Sequence, residues 1–138
     1  MREIDPRLDP RVEGYGELCQ GRAQEALAAF QASDSPLRLQ GIAMAEYSLG
    51  HKEASDRALA EIIRTHGNPF SFQYAQAYAW RGDIDEALRW LETAYRVHDG
   101  GLTYMGYDRF LNKLRGDPRF NTLLRKMNLA HDQTAAAM

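Results

Sequence analysis

Cysteine is almost absent from the sequence, and its scarcity limits both the fold and the compartment. The 138 residues include one cysteine, Cys19, which cannot close a disulfide within the chain. Small secreted domains usually depend on disulfides, so a reducing compartment is expected. A zinc site of the paired-cysteine type is excluded for the same reason.

Long apolar runs are also missing. A membrane-spanning helix needs roughly 18 consecutive apolar residues, and no stretch of the chain approaches that length. The first residues, MREIDPRLDPRVEG, carry acids and prolines where a signal peptide needs an uninterrupted apolar segment. We therefore expect a cytoplasmic protein with no membrane partner.

Neither sign of charge dominates the sequence. The chain has 17 lysines and arginines against 19 acidic residues, which gives a net charge of −2. Such a chain has no global field that would attract a polyanion. We expect no nucleic acid as a partner.

The motifs that carry catalysis are absent as well. The sequence has no glycine-rich phosphate loop, no serine elbow and no HExxH pair. His66 and His98 are expected to pack at helix ends, where a partly protonated imidazole complements the helix dipole. These absences favour a protein that is not an enzyme, with no catalytic residues, no cofactor and no metal site.

What the chain does have is an internal repeat of about 30 residues. Gly21, Gly50 and Gly82 occupy equivalent positions, each following an apolar segment. Between the glycines, apolar residues follow helical spacing, and glycine readily ends a helix, so the repeat predicts pairs of helices. The predicted helices cover residues 9–20, 23–33, 37–49, 52–66, 69–81 and 84–98.

Local signals also predict how these helices begin. Pro36 and Pro69 suit the first turns of the second and third pairs. Asp83 with Glu86, three residues later, predicts a capping box. Asp117 is predicted to cap one further helix with Pro118 at its first position, followed by an apolar stripe. The stripe consists of Phe120, Leu123, Leu124 and Met127.

The segment NPFSFQYAQAYAWRGDIDEALRWLETAYRVHDGG resembles one full tetratricopeptide repeat, a helix-turn-helix unit of about 34 residues. Small Ala75, the turn glycine Gly82 and small Ala87 hold the family's places. The resemblance implies an all-α, right-handed α-solenoid of about three helix hairpins in a single domain spanning residues 1–138. The implied repeats are 7–35, 36–67 and 68–101, followed by a cap at 102–129 and a disordered tail at 130–138.

Members of this family line a concave groove with the first helix of each pair. The resemblance therefore implies a partner-binding groove formed by Leu37, Gln40, Met44, Tyr47, Phe72, Gln76 and Trp80. This lining is aromatic and apolar, which suits an apolar helix or extended peptide segment of another protein. The alternative is that these side chains pack against the protein's own cap or against a second copy.

The expected function is a non-enzymatic protein–protein interaction scaffold or adaptor, which also forms a homodimer. The residues YDRFLNKLRGDPRFNTLLRKMNL resemble the tail that closes tetratricopeptide arrays of bacterial signalling proteins. Ile4, Asp5 and Pro6 resemble the end of a preceding unit. The alternative function is therefore a C-terminal regulatory or small-ligand-sensing domain of a larger signalling enzyme or transcription regulator, which would use the loop at 100–107.

Overall fold

A computed structural model describes residues 9–97 and 108–126 of the chain. All regular secondary structure in these two ranges is helical, with no strand in either of them, so the predicted all-α class is confirmed. The predicted loop at 100–107 and tail at 130–138 lie outside the described residues. None of the described helices is long and apolar enough to cross a membrane.

Seven α-helices and two 3₁₀ helices form the described part of the chain. The α-helices are α1 (Pro10–Cys19), α2 (Ala23–Ala32), α3 (Arg38–Ser48), α4 (Lys52–His66), α5 (Ser71–Arg81), α6 (Ile84–Arg96) and α7 (Pro118–Lys126). The 3₁₀ helices are Asn68–Phe70 and Arg109–Leu114. Each of the six predicted helices is present close to its predicted bounds, and Gly82 ends α5 in the left-handed conformation, with φ 84°. Packing within a pair is seen for α1 with α2 and for α5 with α6.

Contacts divide the chain into two compact units, Met1–Thr65 and His66–Met138. Each unit is described separately below. The single domain spanning residues 1–138 stays a prediction.

The first unit is organised around the ring of Phe30, which is fully buried. A Cβ atom added to Gly14 on α1 would lie 2.6 Å from Cε1 of this ring, and one added to Gly41 on α3 would lie closer still to Cδ1. The ring of Tyr15 meets Phe30 edge-on, with centroids 5.2 Å apart. The absence of a side chain at two glycines therefore lets α1 and α3 approach the ring of an α2 residue.

Asp9 ties the start of α1 to the connection after α2. Its Oδ1 accepts a hydrogen bond from the backbone N–H of Arg11 at 2.9 Å and another from the buried Ser33 hydroxyl at 2.5 Å. The hydrogen bond from Ser33 is the main cause that holds the pKa of Asp9 below its usual range. The N-cap of the helix is thus also a tertiary contact.

The prediction for Pro36 was wrong, because this residue precedes α3 in a turn. The backbone N–H of Ser35 donates to the Ser33 hydroxyl at 3.0 Å, and the N–H of Leu37 donates to the Ser35 hydroxyl at 3.1 Å. These side-chain acceptors satisfy backbone groups locally and favour a turn over a helical start. Pro69 lies in the 3₁₀ helix that leads into α5.

The predicted capping box at the start of α6 is also wrong. Asp83 is the N-cap residue, but its side chain makes no capping hydrogen bond. Its Oδ2 lies 3.0 Å from Nε of the buried Arg81, and Glu86 pairs with Arg89 at 2.7 Å. Both carboxylates therefore pair with arginines and do not cap the helix. The charge of Arg81 is buried, and because a buried charge needs an opposite charge beside it, Arg81 pairs with Asp83.

The second unit has one core shared by the α5–α6 hairpin and the C-terminal segment 108–126. Leu91 on α6, Leu111 and Leu114 on the second 3₁₀ helix, and Phe120 on α7 all have no exposed surface and belong to this cluster. The predicted N-cap at Asp117 is confirmed, because its Oδ1 accepts from the N–H of Arg119 at 2.8 Å. The C-terminal segment thus acts as a cover for the hairpin.

Tyr74 secures the other end of α5. Its hydroxyl donates a hydrogen bond of 2.8 Å to the carbonyl of Gly67, and burial raises the pKa of Tyr74 to about 12. The ring of Trp90 on α6 packs edge-on against Tyr74, with centroids 4.9 Å apart.

The contact between Phe30 and the glycines generates a prediction for stability. Gly41→Ala places a methyl group against the fully buried ring of Phe30, so we expect a loss of about 1 to 3 kcal/mol in the free energy of unfolding. Gly16→Ala is the matched control, because no atom lies within 4 Å of its added Cβ and alanine favours the helix by about 1 kcal/mol. Denaturant unfolding measures both. Equal effects of the two substitutions would contradict the packing described.

Asp9 generates a prediction for pH dependence. Its folded pKa is lowered, so its contribution to stability is present above the unfolded pKa, near 4, and is lost as the pH falls through the folded value. We expect Asp9→Asn to destabilise the protein at neutral pH and the difference from the parent to shrink below about pH 4. Urea unfolding between about pH 7 and 3 measures this difference. A difference that does not change with pH would contradict the prediction.

Candidate functional site

The seven residues of the predicted groove differ strongly in their exposure. Gln40 and Met44 on α3 have no exposed surface, and Phe72 on α5 is 3% exposed. The other four are half-buried, and they are Leu37, Tyr47, Gln76 and Trp80. Of the seven predicted groove residues, only these four therefore have exposed side-chain surface for a partner to contact.

The α3 residues of the set follow one face of a helix, since they are spaced by three or four positions. Gln40 is held within the first unit, where its Oε1 accepts a hydrogen bond from the Tyr15 hydroxyl. Because Gln40 and Met44 are enclosed, the part of this face that a partner can touch is limited to Leu37 near its beginning and Tyr47 near its end.

The α5 residues of the set contact the protein's own C-terminal segment. Gln76 Nε2 donates to Oδ2 of Asp108 at 2.6 Å. The ring of Trp80 packs edge-on against Phe110, with centroids 5.8 Å apart. Lys113 Nζ donates to the carbonyl oxygen of Trp80 at 2.7 Å. Two hydrogen bonds and one ring contact thus attach the 3₁₀ helix Arg109–Leu114 and its N-cap residue to α5.

Phe72 is part of the core that α5 shares with the C-terminal segment, because it belongs to the same apolar cluster as Leu111, Leu114 and Phe120. On α5 the observed contacts are therefore those of the alternative, in which these side chains pack against the cap. A role for Phe72, Gln76 and Trp80 in binding another protein stays a prediction.

Asp108, Phe110 and Lys113 were not singled out from the sequence, although they make the contacts with α5. Two weak signals could have found them. Leu111 and Leu114 are spaced by three residues, the repeat of a 3₁₀ helix, and Asp108 accepts a hydrogen bond from the N–H of Phe110 at 2.8 Å, as a capping residue does.

Two open clefts are found among the described residues, and none of the predicted groove residues lines either of them. One, of about 540 Å³, lies at the α3–α4 turn. The other, of about 400 Å³, is lined by Gly82 and the acidic start of α6. Among the described residues, no group of three histidine, cysteine or carboxylate side chains is placed to hold a metal ion. His66 packs against Phe70, with ring centroids 4.8 Å apart.

The contact between Trp80 and Phe110 generates a prediction for a double-mutant cycle. Trp80→Ala should lower the free energy of unfolding by about 2 kcal/mol, because part of a large ring loses its packing. The coupling between Trp80→Ala and Phe110→Ala should be about 1 kcal/mol, as for an edge-on aromatic pair.

The control for this cycle is Phe70→Ala, since Phe70 packs against His66. Its effect should add to that of Trp80→Ala without coupling. Denaturant unfolding of the single and double variants measures both quantities. If Trp80→Ala left stability unchanged and did not couple to Phe110→Ala, the described packing of the C-terminal segment would be contradicted.

Comparison of the chain with protein-family models, curated proteins and solved structures finds no match. The family resemblance therefore depends on the residues quoted from the sequence. The fold and the contacts above stand on their own geometry.

Proposed function

We propose that this chain is a non-enzymatic scaffold of the tetratricopeptide type, which binds an apolar helix or extended segment of another protein. The proposal includes the right-handed solenoid, a cytoplasmic location and association into a homodimer. The observation that carries it is the succession of helix hairpins with glycine turns, α1 with α2 and α5 with α6, together with the close approach to Phe30 of α2 that Gly14 on α1 allows. Such hairpins stack in repeat proteins to form extended binding surfaces.

The half-buried side chains of α3 support a docking surface in the first unit. Tyr47 combines a large apolar ring with a hydroxyl, the kind of side chain that dominates binding energy at protein interfaces. Leu37, the N-cap residue of α3, adds a second apolar side chain ten positions earlier in the sequence. Gln40 and Met44, which lie between them in sequence, are fully buried, so the helix that carries Tyr47 is anchored in the core and a rigid support costs little entropy to order on binding.

The α5 face supports a different role in the proposed scaffold. Its groove residues contact the C-terminal segment, so binding there would require removal of Leu111 and Leu114 from the core. Exposing two fully buried leucines costs several kcal/mol. The proposal therefore assigns partner contact to the α3 residues and an internal packing role to Phe72, Gln76 and Trp80.

The test begins with capture of partners from a lysate of the source organism by the immobilised chain. For a captured protein, Tyr47→Ala should weaken binding by about 2 kcal/mol, roughly a factor of 30. Val12→Ala is the matched control, because Val12 is an apolar side chain on α1 that is 59% exposed, and its effect should be less than about twofold.

Thermal unfolding of both variants shows whether the chain remains folded. Tyr47→Phe, which keeps the ring, provides a second variant if Tyr47→Ala loses stability. Captured proteins whose affinities respond equally to Tyr47→Ala and Val12→Ala would contradict the assignment of the binding surface to α3.

A further inference from the structure

We draw no further inference here: the strongest candidate, the open cleft of about 540 Å³ at the α3–α4 turn, is lined mainly by exposed residues at the N-terminus of α4, and nothing among the described residues indicates a ligand that would bind there.

Discussion

The packing of the C-terminal segment onto the α5–α6 hairpin is the contact on which the second unit depends. Two antiparallel helices bury the surfaces between them and leave a further apolar face that needs a cover. Leu111, Leu114 and Phe120 supply it, and all three are enclosed together with Leu91. The first unit meets the same requirement differently, because α3 approaches Phe30 on α2 through a glycine, Gly41, and so adds a third helix.

This cover determines which side chains of α5 remain exposed. Gln76 and Trp80 are engaged by Asp108 and Phe110, so the α5 face serves the interior of the unit. The hydrogen bonds at the edge of this α5 face fix the position of the 3₁₀ helix along α5. The packing of two leucines alone would define that position less well. The basic side chains of the same segment are exposed, and Arg119 among them pairs with Asp85 on α6. The segment therefore closes the hairpin through both apolar packing and an ion pair.

Much of the helical architecture could be predicted because its signals are local. Gly82 and the apolar stripe of α6 determine a turn and a helix within a few residues of sequence. The features that were missed depend on residues distant in sequence or on competing partners. The Asp83 side chain does not cap α6, because its carboxylate pairs with Arg81. The 3₁₀ helix lacks the 3.6-residue period and was therefore not recognised. Whether Trp80 lines a groove or contacts the cap depends on Phe110, which lies 30 residues further along the chain.

Amide hydrogen exchange of the full chain tests most directly whether the C-terminal segment is an integral part of the second unit. If it is, the amides of Leu114, Leu123 and Leu124 should exchange in the same cooperative opening as the central amides of α5 and α6, with similar free energies and similar dependence on denaturant. Fast exchange of these amides while α5 and α6 remain protected would contradict this account, because the hairpin would then be stable without its cover.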